Sequence, residues 1–278
     1  MSTGSGRSLI RVVSLVVLLI AVGGCSESGP PYEVESEVVV GDGTRDVTVW
    51  SPVADGSWPV VYAVPGSGGS AEGDLGVLAT ELASHGVVVF GTDVVSSSHQ
   101  RDIECGYRFT RDHADDYGGD VTQPVTMVGY SVGAADALIH GLNSDAFSPE
   151  STNPVDVACP PGAPRPEIIV SISGCHVTFT GVEGRVRYWD NKDADITLVS
   201  GADDDVCRSK ESIEAQAVLR AAGYNASYVE IPDANHWEVV FHDLSYGSFK
   251  TLETDNPAGQ ATVETILTAI GVEQQATE

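Results

Sequence analysis

The chain has 278 residues, which is enough for one large globular domain or two small ones. Its 40 Asp and Glu residues outnumber its 14 Lys and Arg residues, so the formal net charge at pH 7 is −26. A surface this acidic repels nucleic acids and anionic lipid headgroups, which argues against both as binding partners.

Residues 1–24 have the pattern of an export signal. Two arginines are followed by an apolar run over Val12–Val22, which is too short to cross a bilayer as a stable helix. The run leads into Val-Gly-Gly-Cys25, which resembles the lipobox of bacterial lipoproteins, whose cysteine is lipidated and becomes the first mature residue. We therefore predict a signal peptide, a lipid anchor at Cys25 and a polar tether over 25–31. A secretory signal with an incidental cysteine is the alternative, and both interpretations predict an exported protein, either anchored in the cell envelope or secreted.

Four cysteines remain when Cys25 is set aside. An even set in an oxidising compartment suggests two disulfides, for which three pairings are possible. Cys175 and Cys207 each follow a predicted strand, so we pair them with each other and pair Cys105 with Cys159. The spacing of Cys and His residues does not match a metal site, and we expect no metal.

Short β-branched runs alternate with helical stretches from residue 32 onward. Tyr32–Val40 and Asp46–Trp50 alternate apolar with polar residues and predict a hairpin that turns at Gly41-Asp42-Gly43. The later predicted strands are Pro59–Val64, Val87–Thr92, Val125–Gly129, Ile168–Ser173, Ile196–Ser200 and Ser227–Ile231. The predicted helices are Ala71–His85, His99–Tyr117, Val132–Leu142, Arg208–Ala222 and Thr262–Ile270.

The order of these elements predicts an α/β fold. Repeated strand–helix units form a mostly parallel sheet with helices on both faces, preceded by the antiparallel hairpin. The proline-rich stretch Asn143–Glu167 is expected to be a long surface loop. We find no internal repeat and no second core, so residues 32–278 are predicted to form a single domain.

Ser131 lies where a predicted strand turns into a helix, within Gly-Tyr-Ser-Val-Gly. Ligands of open α/β sheets gather at the carboxyl ends of the strands, and Ser131 falls at that edge. Side chains at Gly129 or Gly133 would obstruct so sharp a turn. The N-terminus of the following helix lends partial positive charge to an anion that forms there. We therefore predict that Ser131 is a nucleophile.

A serine nucleophile needs a base and an acid that orients the base. His236 follows the last strand and Asp204 follows the strand before it, in the order Ser, Asp, His. His242 is the rival candidate for the base. Asp203 and Asp205 remain alternatives for the acid, since the three aspartates are consecutive.

The reaction also needs donors for an oxyanion. The backbone N–H of Val132, directly after the nucleophile, is expected to supply one. The loop Pro65-Gly66-Ser67-Gly68-Gly69 is expected to supply the other, which we assign to the N–H of Ser67 with Gly66 as the neighbouring alternative. The loop lacks the lysine and the spacing of a nucleotide-binding loop.

These motifs resemble the α/β-hydrolase superfamily over nearly all of residues 35–270. The matching stretches are VVYAVPGSGGS, LASHGVVVFGTD, MVGYSVGAAD, LVSGADDD and IPDANHW. The first two are most similar to the dienelactone-hydrolase-like group, which includes bacterial cutinases and polyester hydrolases. The resemblance implies a serine esterase that needs no cofactor. Ser67 departs from this group's polyester hydrolases, which often have an aromatic residue at that position, and their cysteine pattern also differs.

The substrate site is expected to be an open cleft. The superfamily places a lid after the sixth strand, whereas here the connection from Gly174 to Asp195 is short and largely polar, so we predict no large lid. Gly66, Tyr130 and Trp237 are predicted to contact the substrate, with ordinary packing as the alternative for the two aromatic residues.

We therefore predict an exported serine hydrolase that cleaves small or polymeric carboxylic esters through an acyl-enzyme intermediate. A non-catalytic ligand-binding lipoprotein on a hydrolase scaffold is one alternative. A peptidase or thioesterase that uses the same triad is another. The expected membrane contact is the lipid anchor alone, and the expected oligomeric state is a monomer.

Overall fold

The computed structural model describes residues 32–40, 46–67, 69–94, 99–143, 164–176, 186, 189–244 and 250–272. The predicted signal peptide, tether and lipidation of Cys25 lie outside these ranges, as do Cys159, the hairpin turn and most of the proline-rich loop. The predicted division of the chain into domains therefore stays a prediction. Within the described ranges, no helix is both long and apolar enough to cross a bilayer.

The central sheet of the described residues has eight strands in the order β1-β2-β4-β3-β5-β6-β7-β8. The strands are β1 (Val34–Val40), β2 (Asp46–Pro52), β3 (Val60–Val64), β4 (Val88–Thr92), β5 (Thr126–Tyr130), β6 (Ile168–Ile172), β7 (Asp195–Gly201) and β8 (Asn225–Ile231). The pairs β1–β2 and β2–β4 are antiparallel, and every other neighbouring pair is parallel. This confirms the predicted fold class and its antiparallel start. It also brings the carboxyl ends of β5, β7 and β8 to one edge of the sheet.

The helices of the described residues confirm the predicted alternation. They are α1 (Ala71–Ser84), α2 (His99–His113), α3 (Val132–Leu142), α4 (Ser209–Ala221) and α5 (Pro257–Ala269), with 3-10 turns at Ala114–Tyr117 and Glu238–Val240. A separate two-stranded ladder pairs β9 (His242–Asp243) with β10 (Lys250–Thr251). The helix predicted over 99–117 is α-helical to His113 and 3-10 beyond it. Most other predicted boundaries agree within one or two residues.

The closing helix begins earlier than predicted, at Pro257 rather than at Thr262. Asn256 caps this helix, because its side chain accepts the N–H of Gly259 at 2.9 Å. Proline in the first turn adds to the signal, since its missing N–H costs nothing there. The prediction followed apolar periodicity and overlooked the Asn-Pro pair.

Apolar side chains cover both faces of the sheet. Along β3, Val60, Tyr62 and Val64 pack in one cluster with α2, α3 and α4, whereas Val61 and Ala63 pack in another with α1 and α5. Every residue of β3, β4 and β5 is buried. Such strands, buried on both faces, are typical of the centre of a parallel sheet. The rigid centre therefore supports the loops that follow β3 and β5.

A buried ionic cluster ties α2 to α3 and to the segment before β6. Glu104 is 4% exposed and accepts from Arg108 Nε and Arg165 Nη1, each at 3.0 Å. Arg165 also donates to the His140 carbonyl at 3.1 Å. Burial alone would raise the pKa of Glu104, but its interactions with His140, Arg165 and Arg108 outweigh burial and lower the pKa to about 2.

Glu104→Gln is expected to lower the free energy of unfolding by roughly 3–5 kcal/mol at neutral pH, because it leaves buried guanidinium charges without their partner. A carboxyl whose pKa is lowered by folding stabilises the fold above its ordinary pKa, and that stability is lost as the pH falls through the folded value. The difference between wild type and variant should therefore be full above pH 4.5 and should shrink towards pH 2.

Urea denaturation at neutral pH and at about pH 3 measures this effect. Glu214→Gln is the matched control, since Glu214 pairs with Lys210 on the surface and should contribute less than about 1 kcal/mol. Equal small losses for both variants at neutral pH would contradict the prediction.

Candidate active site

Ser131 occupies the turn between β5 and α3, with φ 57° and ψ −121°. A residue with a Cβ adopts this positive φ only at an energetic cost. A Cβ at Gly129 would overlap the backbone of Gly133, and a Cβ at Gly133 would overlap the carbonyl of Pro65. The two glycines therefore allow the strand and the helix to meet closely enough for a sharp turn. The Ser131 N–H donates to the Ile172 carbonyl at 2.9 Å, which ties the turn to β6.

His236 follows β8 and contacts the Ser131 side chain. Its Nε2 lies 3.1 Å from Ser131 Oγ, and the residue is 1% exposed. The Tyr130 hydroxyl donates to the His236 carbonyl at 3.1 Å, and the two ring centroids lie 5.2 Å apart. The main chain and the ring of His236 are thus both held beside Ser131.

Asn235 and Glu238 hold the loop that carries His236. Asn235 Oδ1 accepts the N–H groups of Trp237 at 2.9 Å and of Glu238 at 3.1 Å. The Asn235 N–H donates in return to Glu238 Oε2 at 2.9 Å. This reciprocal capping resembles the box found at helix N-termini. It was not predicted, although the Asn-x-x-Glu spacing signals it.

Asp204 completes a chain of hydrogen bonds from Ser131. Its Oδ2 lies 2.8 Å from His236 Nδ1, on the far side of the imidazole from the hydroxyl. Asp204 is 5% exposed, whereas Asp203 and Asp205 are exposed. The structure thus brings the middle one of the three aspartates to the histidine.

The loop after β7 packs on the loop after β8. The Ala202 N–H donates to the Ile231 carbonyl and the Asp203 N–H donates to the Ala234 carbonyl, each at 2.9 Å. A Cβ at Gly201 would overlap the Ala234 carbonyl, so this close approach requires glycine. These contacts place the Asp204 carboxylate within reach of His236.

A disulfide joins Cys175 to Cys207, as predicted. The Cys207 N–H donates to Asp204 Oδ1 at 2.8 Å, beside the N–H of Val206 at 3.0 Å. The Cys175 N–H donates to the Ser131 carbonyl at 3.3 Å. The disulfide therefore connects the backbone that contacts Ser131 with the backbone that contacts Asp204. Cys159 lies outside the described residues, so its pairing with Cys105 stays a prediction.

The double substitution Cys175→Ala/Cys207→Ala is expected to lower the free energy of unfolding by about 3–4 kcal/mol. The bond joins residues 32 positions apart, and its loss restores the conformational entropy of that loop to the unfolded chain. Urea denaturation of the variant and of wild type, without reductant, measures the difference. A loss below about 1 kcal/mol would contradict the estimate from chain entropy.

The glycine-rich loop after β3 lies beside Ser131. The Gly66 N–H donates to Asp74 Oδ2 at 2.9 Å, so this donor is engaged within the loop. The assignment to a substrate oxygen therefore stays with Ser67, which is exposed. Val132, 38% exposed, is the first residue of α3, where backbone N–H groups have no partner within the helix. Their action as oxyanion donors remains a prediction.

The two aromatic residues predicted at the substrate site have different surroundings. Tyr130 is 2% exposed and packs against His236, which favours a role in holding the histidine over contact with a substrate. Trp237 is half-buried, with its ring edge-on to the imidazole at 4.9 Å between centroids. Contact of either ring with a substrate remains a prediction. Half of the connection from Gly174 to Asp195, for which no large lid is predicted, lies outside the described residues.

Two other histidines near the site have different partners. His242, the rival candidate for the base, has its Nε2 3.0 Å from the Asp74 carbonyl oxygen. His176 is buried, which lowers its pKa to about 4, and its Nε2 lies 3.2 Å from Ser171 Oγ. Across the described ranges, no group of three or more His, Cys, Asp or Glu residues is placed to hold a metal ion.

No protein-family model matches the sequence, and no curated protein is similar to it in sequence. Solved structures are nevertheless similar in fold. A truncated carbohydrate esterase from gut microbiota superposes with a TM-score of 0.64 at 14% identity, covering 88% of this chain and 99% of that one. Esterase B from Lactobacillus Rhamnosis gives 0.63 at 14% identity, with 88% of each chain covered. An esterase from Pyrobaculum calidifontis gives 0.61 at 18% identity, again with 88% of each covered.

Proposed function

Because this chain has the α/β-hydrolase fold, we propose that it is a serine hydrolase that cleaves carboxylic esters. The observation that carries the proposal is the hydrogen-bonded series Ser131 Oγ, His236 Nε2, His236 Nδ1 and Asp204 Oδ2. A serine hydroxyl next to an imidazole that is itself oriented by a carboxylate is the arrangement required for nucleophilic catalysis.

In the proposed reaction, Ser131 Oγ attacks the ester carbonyl carbon while His236 Nε2 takes the hydroxyl proton. Asp204 keeps the imidazole in the tautomer that can accept this proton and stabilises the imidazolium that forms. The carbonyl oxygen becomes an oxyanion, which accepts hydrogen bonds from the backbone N–H groups of Val132 and Ser67. The carbon–oxygen bond to the alcohol then breaks, and the alcohol leaves with the proton from His236.

Deacylation repeats these steps with water. His236 removes a proton from a water molecule, the resulting hydroxide attacks the acyl carbon, and the proton passes to Ser131 Oγ as the bond to serine breaks. The products are a carboxylic acid and a free enzyme. Apart from the water molecule, every step uses only the side chains and backbone donors named above.

Carboxylic esters are the favoured substrate class because the structurally similar proteins are named as esterases. A second structure of esterase B contains a tributyrin phosphonate inhibitor, a class of compound that reacts with an activated serine. Export is also part of the proposal, and the Cys175–Cys207 disulfide fits an oxidising compartment. Cell fractionation into envelope and medium tests whether Cys25 anchors the protein or the protein is released.

The direct test exposes the purified protein to a fluorophosphonate probe and to p-nitrophenyl esters of increasing acyl length. We expect covalent labelling at Ser131 and turnover of at least part of the ester series, with heat-unfolded protein as the control. Peptide and thioester substrates in the same assay distinguish a peptidase or a thioesterase. Folded protein that neither reacts with the probe nor hydrolyses any substrate would leave the non-catalytic binding protein as the better interpretation.

A further inference from the structure

The loop that carries the proposed oxyanion donor Ser67 is built around a carboxylate. Asp74, in the first turn of α1, accepts the Gly66 N–H on Oδ2 at 2.9 Å. A Cβ at Gly66 would lie 3.2 Å from this oxygen and 3.4 Å from Ser131 Cβ, and a Cβ at Gly69 would overlap the carboxylate. Gly66 is therefore held between Asp74 on one side and Ser131 on the other.

The far end of the same loop is fixed by other groups. Ser70 caps α1 by accepting the Gly73 N–H at 2.9 Å, and Asp93 Oδ1 accepts the Ala71 N–H at 2.9 Å. The Gly69 N–H donates back to the Gly66 carbonyl at 3.1 Å. The Asp74 carboxylate thus holds the end of the loop nearest the nucleophile, whereas the helix cap and Asp93 hold the other end.

We infer that Asp74 is a positioning residue for the oxyanion site, an inference that rests on the proposed function. Its carboxylate holds the Pro65–Gly66 peptide and thereby sets the direction of the next N–H, that of Ser67. Donors that are fixed in advance towards the forming oxyanion stabilise the transition state without reorganising. A loop with several glycines would otherwise be free to turn the Ser67 N–H away.

The surroundings of Asp74 indicate that its charged carboxylate does not stabilise the fold. Burial raises the pKa of Asp74, although the Gly66 hydrogen bond and His242 act in the opposite direction and Asp93 adds to the rise. A carboxylate whose pKa is raised by its surroundings lowers stability in its charged form. The charged carboxylate therefore costs stability where it lies, and its hydrogen bond to the loop beside the nucleophile indicates a functional position.

Asp74→Ala is the variant that removes the acceptor. We expect kcat for a p-nitrophenyl ester to fall about 10- to 100-fold, with KM changed less than about 3-fold, because the lost interaction acts in the transition state. Binding of an alkylboronic acid, whose serine adduct is tetrahedral, should weaken by about the same factor as kcat/KM. Thermal unfolding of each variant shows whether the fold is intact.

Asp74→Asn is the conservative variant, because its amide oxygen can still accept the Gly66 N–H while the charge is removed. We expect kcat within about 3-fold of wild type and a melting temperature equal to or above that of wild type. Glu72→Ala removes an exposed acid two residues before Asp74 in α1. It is the matched control and should leave kcat unchanged.

Three results would overturn the inference. The first is Asp74→Ala with wild-type kcat, and the second is a folded Asp74→Asn variant as slow as Asp74→Ala. The third is a loss that appears in KM alone. If wild type itself neither hydrolyses esters nor reacts with a fluorophosphonate, the proposed function fails and this inference fails with it. Active wild type with an unaffected Asp74→Ala variant overturns this inference alone.

Discussion

Ser131→Ala is expected to lower kcat for a reactive p-nitrophenyl ester by roughly 10⁴- to 10⁶-fold and to abolish labelling by a fluorophosphonate. The substitution removes the one oxygen that lies 3.1 Å from His236 Nε2. The remaining oxyanion donors can still favour attack by water, so a small residual rate above the uncatalysed reaction is expected. A continuous ester assay measures the loss of kcat. The intact mass of the protein after incubation with the fluorophosphonate measures the loss of labelling.

Alanine is the appropriate replacement because it keeps the Cβ at a positive φ. Ser131 has φ 57°, a conformation that glycine would adopt more readily, so Ser131→Gly would change the stability of the turn as well as its chemistry. Ser57→Ala, at an exposed position far along the chain, is the control and should leave activity unchanged. Full turnover or labelling in a folded Ser131→Ala variant would refute the proposed nucleophile.

Asp204→Asn is expected to lower kcat by about 10³- to 10⁴-fold with little change in KM. The asparagine amide can donate to Nδ1, which favours the imidazole tautomer that carries its proton on Nε2 and cannot accept the proton of Ser131. The Asp204 side chain also accepts the N–H groups of Val206 and Cys207 on its other oxygen. The variant can keep those two bonds, so its fold should be retained.

Asp203→Asn and Asp205→Asn are matched controls, because they make the same chemical change at neighbouring exposed positions. Each should retain kcat within about 3-fold of wild type, since neither side chain is part of the hydrogen-bonded series. A loss at Asp203 or Asp205 as large as the loss at Asp204 would mean that acidic charge in this loop, rather than orientation of His236, supports activity.

Some residues of the candidate site can be predicted from the sequence, and others cannot. Ser131 and His236 follow from a strand–turn–helix pattern and from the order of loops. The pairing of Cys175 with Cys207 was predictable because parallel strands end at one edge of a sheet, and both cysteines follow such strands. Asp74 was not predicted, since an acidic residue in the first turn of a helix is usually explained by the helix dipole alone.

The sequence alone does not identify which of the three consecutive aspartates orients His236. Their side chains are identical, and loop position favours Asp204 without excluding its neighbours. The contacts of Ala202 with Ile231 and of Asp203 with Ala234 set the path of the loop, and that path turns the Asp204 carboxylate inward and its neighbours outward. Such contacts join residues about 30 positions apart in the sequence, so no local pattern specifies them.

The sequence by itself determined the order of strands and helices, the antiparallel start and the residues that take part in the proposed chemistry. These follow from apolar periodicity and from glycines and polar residues at strand ends, which are local properties of the chain. Only the tertiary structure decided which atoms meet: Ser131 with His236, 105 residues away, and the oxyanion loop with Asp74. Hydrogen bonds of this kind require the two atoms to be positioned to within a few tenths of an ångström. The packing of the sheet and its loops sets these positions.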